Sequence, residues 1–276
     1  KFVTYYLNDL MQIFEALKKI NKIIELEQSL QGGAGVDLGA FFLYILDRDS
    51  VKNAIELLRH YLWLGSHMTK CSPSFFLSDE TKDKLALTLN FMLNEFLGKN
   101  AELPLKPNPK LNYVPEAFLN KIFSLYLNFK DQGEFLREVV SDEQNFSVDF
   151  FKSIEGISRL LGLLQSEDLI AWEKFVEDLE RTKTEKESEE KWMAEIQDIP
   201  EEYVDTLMNT IMKEPVMLPT SKVILDKTTI CKHLLTDPTD PFNRNPLTSE
   251  MLIPQPELKQ KIQEFIHVEK VKKRGF

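Results

Sequence analysis

The amino-acid sequence predicts a mainly α-helical protein, in which stacked helical hairpins are followed by a small α+β module. Apolar residues recur every three or four positions through residues 1–180, and the alternation typical of strands is absent there. Nine of the ten glycines lie at or before Gly162, and residues 200–274 contain none. From Pro200 onward, short apolar runs bounded by proline replace the helical period. These observations predict two structural parts that meet near residue 200.

The first part is expected to consist of consecutive helices. Over residues 3–24 the apolar side chains step by three or four and fall on one face of a helix. Pro104, Pro107 and Pro109 interrupt the pattern further on, and we expect an extended connection there. Ser78, which precedes two acidic residues, is typical of a helix start. The further helices are expected over residues 49–64, 78–98, 115–128, 131–140, 147–164 and 167–180.

A highly charged segment separates the two parts. Residues 177–191 include 11 charged side chains among 15, and Leu179 is the only apolar one. Such a segment cannot bury an apolar face, so it is either an exposed helix or a loose tether. We therefore expect a helical core over residues 1–180, a charged linker or helix over 181–199 and a separate module over 200–276.

Residues 200–276, the C-terminal module, begin with strand signals. The runs 216–218 and 223–225 flank a short turn and predict a β-hairpin, although this turn lacks the glycine usually preferred there. Asp226 directly follows the second run and is placed to cap a helix. The apolar residues of that helix are Ile230, Leu234 and Leu235.

The rest of the C-terminal module is a loop and a helix. A proline-rich loop over residues 237–246 leads to a short apolar run, and a final helix is expected over residues 256–271. Leu258, Ile262, Phe265 and Ile266 are expected on the buried face of this last helix. Ile230, Leu234 and Ile262 are predicted core residues.

The net charge of −10 is distributed unevenly. Residues 200–276 hold 11 acidic and 11 basic side chains, so residues 1–199 hold 33 acidic and 23 basic ones. An acidic body repels phosphate backbones, and we therefore expect no nucleic-acid partner. No apolar run reaches the roughly 18 residues of a membrane span, and no signal-peptide pattern opens the chain. Because the chain begins without Met and inside an amphipathic repeat, we expect a fragment of a longer protein.

The cysteines and histidines are too few for a zinc-based module. Two cysteines and four histidines are spread over the chain, and a RING module needs about eight ligands for two zinc ions. We therefore expect neither a metal nor another cofactor. Two cysteines form at most one disulfide, which favours a cytosolic or nuclear location. The pair Gly33 and Gly35 misses the spacing of a nucleotide-binding loop and predicts a flexible connection instead.

Cys231 and His233 are the nearest approach to a nucleophile and base. They are two residues apart, which places them about 200° apart around a helix, and this geometry is poor for a catalytic pair. We interpret Cys231 as a packing residue. His233 is either a polar contact within the fold or a residue that faces a partner.

Four segments of the C-terminal module together resemble the U-box family. They are residues 207–216 (LMNTIMKEPV), 225–230 (LDKTTI), 233–235 (HLL) and 239–247 (TDPFNRNPL). The string TDPFNR is most similar to the U-box of the ubiquitin chain-elongation factors, which extend ubiquitin chains on modified substrates. Residues 2–9, 90–91 and 112–128 resemble the end of that family's long helical core. Asn209, which stands where other U-boxes carry a large apolar contact residue, and the hairpin turn without glycine depart from the family pattern.

The resemblance implies a fold and an activity. The expected fold is the end of an armadillo-like helical core followed by a zinc-free, RING-like U-box. A U-box recruits a ubiquitin-conjugating enzyme and orders its ubiquitin thioester, so that an acceptor lysine attacks it; this is catalysis by positioning. The expected partners are that enzyme, ubiquitin, ubiquitinated substrates and an AAA-class segregase ATPase. We further expect a monomer in cytoplasm and nucleus.

The resemblance also assigns residues. Several apolar residues lie in proline-flanked loop segments, where such side chains belong either to the core or to a small docking patch. Arg244 resembles the residue that bridges conjugating enzyme and ubiquitin in RING-like ligases, and no catalytic nucleophile is expected. The residues assigned to the conjugating-enzyme contact are Leu207, Ile211, Met212, His233, Leu235, Pro241 and Phe242.

Two other functions compete with the ligase. In the first, the chain is a non-catalytic helical adaptor whose terminal module only binds partners. In the second, ubiquitin is transferred through Cys231, which predicts a reducible ubiquitin adduct on this chain. Autoubiquitination with a panel of conjugating enzymes distinguishes the ligase from the adaptor.

Overall fold

The computed structural model describes residues 1–31, 38–78, 80–196 and 198–274. The chain divides into two compact units, a first unit of Lys1–Lys186 and a second unit of Glu187–Phe276. The first unit is built from helices, and the second contains a small sheet with two helices after its first strands. This confirms the predicted fold class. No helix within the described ranges is long and apolar enough to cross a membrane.

The first unit contains a series of helices whose apolar faces share one core. The connection over residues 98–114 contains the predicted prolines and only a short 3-10 turn, Pro109–Leu111. The charged segment, residues 177–191, is helical and forms the C-terminal half of the last helix of this series. The helices are α1 (Phe2–Leu17), α2 (Ile20–Gln31), α3 (Leu38–Cys71), α4 (Lys82–Leu97), α5 (Pro115–Asn128), α6 (Gly133–Ser141), α7 (Val148–Leu161) and α8 (Ser166–Ala194), and the last turns of α8 lie beyond the end of the first unit at Lys186.

Several predicted helix boundaries were wrong. The helix expected over residues 3–24 is two helices, α1 and α2, and the periodicity hides the break because both bury their apolar faces in the same core. The helix expected over residues 49–64 begins earlier, at Leu38, and continues to Cys71. Gly65 lies inside it, and a Cβ there would collide with the Tyr6 hydroxyl of α1. This glycine therefore permits close helix packing and does not end the helix.

Two further sequence features need comment. The predicted helix start at Ser78 is displaced to Thr81, although the Ser78 carbonyl still accepts hydrogen bonds from the N–H groups of Thr81 and Lys82 at 2.9 and 3.0 Å. Gly33 and Gly35 lie outside the described residues, so the flexible connection stays a prediction.

A network of hydrogen-bonded polar side chains is buried among the aromatic residues of the first unit. The Tyr126 hydroxyl donates a hydrogen bond to Oδ1 of Asn90 at 2.7 Å. The Asn90 amide in turn donates to the Val139 carbonyl at 3.1 Å and to Asp142 at 3.2 Å. Each of these buried polar groups has a hydrogen-bond partner. The network therefore links α4, α5 and the end of α6 without leaving a buried polar group unpaired.

The second unit is organised around a three-stranded antiparallel sheet of order β2-β1-β3, formed by β1 (Pro215–Met217), β2 (Ile224–Asp226) and β3 (Ile253–Pro254). The pair β1–β2 is the predicted hairpin, in which Val216 lies opposite Leu225. Its turn contains Lys222 with a φ of 61°, which explains how the turn closes without glycine. The strand β3 was not predicted, because two residues are too short to show an alternation.

Two helices complete the second unit, α9 (Lys227–Thr236) and α10 (Pro256–Arg274). Ile230 packs with the sheet residues in one apolar cluster, and Leu234 is half-buried against it. Ile262 lies in a second cluster, which includes Ile211 and Met212. The three predicted core residues of this unit are thus confirmed.

Candidate functional site

Two loops of the second unit repeat one backbone arrangement, the first loop (residues 205–210) and the second loop (residues 240–245). In the first loop the Asp205 N–H donates to the Thr210 carbonyl, and the Asn209 N–H donates to the Asp205 carbonyl, both at 2.8 Å. In the second loop the Asp240 N–H donates to the Asn245 carbonyl at 2.8 Å, and the Arg244 N–H donates to the Asp240 carbonyl at 2.7 Å. Each loop therefore closes in the same way.

The fifth residue of each loop has a left-handed backbone. Asn209 has a φ of 54° and Arg244 a φ of 60°. Asparagine enters this region more readily than most residues, whereas an arginine there is uncommon. The two loops therefore hold Asn209 and Arg244 at equivalent positions.

A buried carboxylate holds each loop. Asp205 and Asp240 are fully buried. Oδ1 of Asp205 accepts hydrogen bonds from the N–H groups of Leu207 and Met208 at 2.8 and 3.1 Å. Oδ1 of Asp240 accepts from the Phe242 N–H at 2.9 Å. Each carboxylate thus fixes the backbone that presents the exposed apolar side chains of its own loop.

The second oxygen of each carboxylate joins its loop to the sheet. Oδ2 of Asp205 accepts from the Asp226 N–H at the end of β2, at 2.8 Å. Oδ2 of Asp240 accepts from the Thr220 hydroxyl at 2.7 Å and the Ser221 N–H at 3.2 Å, both in the hairpin turn. The loops are therefore anchored to the two ends of the β1–β2 hairpin.

Asp226 is a third carboxylate of this kind, and it caps α9 as predicted. Its Oδ1 accepts from the Thr228 N–H at 2.9 Å and the Thr228 hydroxyl at 2.6 Å. Its Oδ2 accepts from the N–H groups of Lys213 and Glu214 at 2.6 and 2.9 Å. Asp226 therefore ties the segment after the first loop to the start of α9.

The hydrogen bonds govern the protonation of these carboxylates. Burial by itself would raise the pKa of Asp226, but the hydrogen bonds from Thr228, Glu214 and Lys213 outweigh it and lower the pKa below its ordinary value. At Asp240 burial is likewise outweighed, by hydrogen bonds from Phe242, Ser221 and Thr220, and the pKa is again lowered. Both carboxylates are therefore charged when the unit is folded at neutral pH.

Both loops expose apolar side chains, and the second loop also carries an unpaired cation. Leu207 is 46% exposed, Met208 61% and Phe242 43%, while Pro241 is half-buried. Arg244 is exposed, and no residue in the described part of the chain forms a hydrogen bond or ion pair with its guanidinium. Exposed apolar residues on rigid loops are suited to protein docking. Among the described residues, no group of three or more His, Cys, Asp or Glu side chains is placed to hold a metal ion.

Comparison with protein families decides the identity of both units. Residues 199–271 match the U-box domain, and residues 1–180 match the ubiquitin elongating factor core. The chain belongs to the ubiquitin elongating factor family. This confirms the resemblance drawn from the sequence, and the two loops are loops of a U-box. The domain limits expected over residues 1–180, 181–199 and 200–276 stay predictions.

Relatives from distant eukaryotes are similar to this chain. E4 ubiquitin-protein ligase UFD2 of Saccharomyces cerevisiae is 37% identical over 196 residues, 70% of this chain and 20% of the relative. Ubiquitin conjugation factor E4 of Schizosaccharomyces pombe is 33% identical over 275 residues, 96% of this chain and 27% of the relative. Ubiquitin conjugation factor E4 ufd-2 of Caenorhabditis elegans is 32% identical over 94% of this chain and 26% of the relative. The chain thus spans about a quarter or less of the length of these relatives.

The structure sorts the predicted docking residues of the U-box. Leu207, Pro241 and Phe242 lie in the two loops with accessible side chains, and their contact with a conjugating enzyme stays a prediction. Ile211 and Met212 are only 9% and 1% exposed and pack with the core residue Ile262. Their side chains pack within the core, and a direct contact of these two residues with a conjugating enzyme stays a prediction.

The two predicted docking residues of α9 stand differently. Nε2 of His233 donates to the Thr239 carbonyl at 3.0 Å, since a carbonyl only accepts. His233 therefore braces the residue that precedes the second loop, and this favours a polar contact within the fold. The side chain of Leu235 lies outside the described residues, so its docking role stays a prediction.

Sequence reasoning missed several residues of the site. It overlooked Met208, which is more exposed than Leu207, and it did not recognise Asp205 as the hub of the first loop. The role of Asp240 was missed in the same way: its side chain bonds to Phe242, Thr220 and Ser221. An aspartate stands four residues before the left-handed position in both loops, but this repeat becomes visible only once the backbone conformation is known.

Proposed function

We propose that this chain is a ubiquitin-protein ligase, which recruits a ubiquitin-conjugating enzyme through its U-box and promotes direct transfer of ubiquitin to substrate lysines or growing chains. The observation that carries the proposal is the pair of equivalent loops: the first exposes Leu207 and Met208, and the second exposes Phe242 together with the unpaired Arg244. The family match and the names of the relatives support polyubiquitin chain elongation as the reaction.

The proposed reaction is an aminolysis. The lysine amine attacks the thioester carbonyl of ubiquitin, an isopeptide bond forms, the conjugating-enzyme thiolate leaves and the amine loses a proton. The U-box supplies no atom to these bonds and acts by holding two proteins in a productive orientation. A guanidinium carries several donors in a rigid fork, so Arg244 is suited to hold acceptors on conjugating enzyme and ubiquitin at once.

The alternative mechanism through Cys231 has little support in the site. Cys231 is half-buried within α9, and the nearest histidine along the helix, His233, uses Nε2 for the Thr239 carbonyl. An activated nucleophile needs a base within hydrogen-bond reach. The non-catalytic adaptor is not favoured either, because relatives across eukaryotes carry the names of ubiquitin ligases and conjugation factors.

The remaining parts of the proposal concern the cell. We propose ubiquitinated substrates and an AAA-class segregase ATPase as partners, and a monomeric chain in cytoplasm and nucleus. Cys71 and Cys231 are not joined in a disulfide, which supports a reducing compartment. The acidic balance of residues 1–199 supports protein partners over nucleic acid.

Autoubiquitination with a panel of conjugating enzymes tests the proposal. With a matching enzyme, the chain should produce polyubiquitin on itself and accelerate discharge of the charged enzyme to free lysine. An adaptor would bind the enzyme and leave its discharge rate unchanged. A covalent ligase would instead form an adduct with ubiquitin that thiols reduce and that Cys231→Ser abolishes.

A further inference from the structure

A cleft of about 420 Å³ is lined by residues of the first unit. The two U-box loops belong to the second unit and contribute nothing to its lining. Two helices supply most of its lining, α3 with Ser66 and Lys70, and α5 with Lys121, Ser124 and Asn128. Its volume falls within the roughly 300–1000 Å³ of ordinary ligand pockets. Neither the family match nor the proposed ligase mechanism uses this cleft.

The charge of the cleft opposes that of its surroundings. Residues 1–199 hold 33 acidic against 23 basic side chains, yet the cleft is lined by Lys70 and Lys121, with Asp168 as the acidic residue of its lining. Within the described ranges, neither lysine forms an ion pair or a hydrogen bond. Two unpaired ammonium groups in a concave site attract an anionic ligand.

The floor of the cleft is polar and braced by hydrogen bonds. The hydroxyls of Ser66 and Ser124 lie 3.1 Å apart, so one donates to the other and one hydroxyl hydrogen remains for a ligand. The Asn128 amide donates to the Ser66 carbonyl at 3.1 Å and to the Thr69 hydroxyl at 2.8 Å. These bonds join α3 to α5, and the floor is therefore held in place before a ligand binds.

We propose that this cleft binds an acidic peptide segment of a protein partner. Its carboxylates would pair with Lys70 and Lys121 and accept the remaining hydroxyl hydrogen of the serine pair. Leu127 and Leu164 also line the cleft, and they give an apolar residue of the peptide a place to pack. The apolar pair favours a peptide over a free phosphate or a phosphodiester chain, because neither of those carries an aliphatic side chain to pack there.

Fluorescence anisotropy on the full chain tests this binding. The probe is a fluorescein-labelled six-residue peptide with five Asp or Glu residues and one Leu near its middle. We expect saturable binding that weakens as salt rises. Lys70→Glu combined with Lys121→Glu should weaken it by about tenfold or more. The control is Lys84→Glu combined with Lys106→Glu, which changes the net charge equally at two exposed lysines outside the cleft and should alter affinity by less than about twofold.

The outcomes separate the cleft from general electrostatics. Equal losses in both double variants, equal binding of a peptide with Asn and Gln in place of Asp and Glu, or no saturable binding to the wild type would each overturn the proposal. Circular dichroism checks the fold, and if the charge-reversed variant is unfolded, Lys70→Gln combined with Lys121→Gln gives the same test with an expected loss of about threefold. Failure here leaves the ligase proposal intact, because discharge of the conjugating enzyme is measured separately.

Discussion

Replacing Asp226 by asparagine should destabilise the segment that follows the first loop and the start of α9. The carboxylate accepts four hydrogen bonds, two on each oxygen, and three of the donors are backbone N–H groups. Asparagine has a single carbonyl oxygen, so its NH₂ group must face one of these donor pairs. In the less costly orientation the Thr228 hydroxyl rotates to accept, and the Thr228 N–H loses its partner.

The cost follows from these contacts. A buried N–H without a partner costs about 1–3 kcal/mol, and the remaining bonds lose the strengthening that a charged acceptor gives. We expect a total loss of roughly 2–4 kcal/mol for Asp226→Asn. The matched control is Asp237→Asn, because Asp237 is exposed and accepts one hydrogen bond, from the Thr239 hydroxyl, which an amide oxygen also accepts. It should cost less than about 0.5 kcal/mol.

Hydrogen exchange of the full chain, followed by mass spectrometry, measures this effect. Protection of the N–H groups of Lys213, Glu214 and Thr228 should fall by about 30- to 1000-fold in Asp226→Asn, since 1.4 kcal/mol corresponds to about tenfold. Equal protection in Asp226→Asn and Asp237→Asn would refute the assignment of Asp226 as a hub.

The stability of the Asp226→Asn variant should also depend on pH differently from that of the wild type. The pKa values of Asp226 and Asp240 are lowered from the ordinary 3.8, so the unfolded chain binds more protons near that pH. Their contribution to stability is present above about pH 5 and is lost as the pH falls through 3.8 toward the folded pKa values. Asp226→Asn removes one of the two titrating groups, and its stability should therefore decline less steeply in acid.

Three further predictions address the U-box. A chelator should change neither its melting temperature nor its activity, because the loops are held by carboxylates, and a loss of either would contradict this. Cys231→Ser should keep most of the transfer activity at a cost of about 1–2 kcal/mol in stability; complete loss of transfer in a folded variant would revive the covalent mechanism. Leu207→Ala should weaken conjugating-enzyme binding by about 1–3 kcal/mol, measured by titration, and lower transfer in parallel, whereas unchanged affinity would remove Leu207 from the docking surface.

Much of the fold could be predicted, because helical periodicity reports burial directly. The hairpin, the Asp226 cap and the core position of Ile230 followed from local patterns. Breaks and close contacts did not. The turn between α1 and α2 keeps the apolar period, and Gly65 is distinguished from a helix end only by the Tyr6 hydroxyl that packs on it.

The apolar residues of the candidate site could be predicted from the sequence, whereas the carboxylates that hold its loops could not. Apolar character in a loop leaves both core and surface open, and the sequence could not separate the exposed Leu207 from the buried Met212, since both follow Asp205 in the same segment. The distinction depends on the turn at Asn209, whose left-handed backbone reverses the chain between them. The carboxylate hubs involve residues about 12–21 positions apart, and no local pattern reveals such partners.

Discharge of ubiquitin from a charged conjugating enzyme to free lysine, with Arg244→Ala, tests the central claim most directly. The variant keeps a Cβ at the left-handed position, so the backbone strain of the loop is unchanged. Lys222→Ala is the matched control, because Lys222 is an exposed cation at the same kind of backbone position. Arg244→Ala should slow discharge by about tenfold, equivalent to ~1.4 kcal/mol, while binding to the uncharged enzyme stays within about threefold and Lys222→Ala behaves like the wild type. A parallel loss of thermal stability, binding and discharge in Arg244→Ala, or an unchanged discharge rate, would contradict the positioning role.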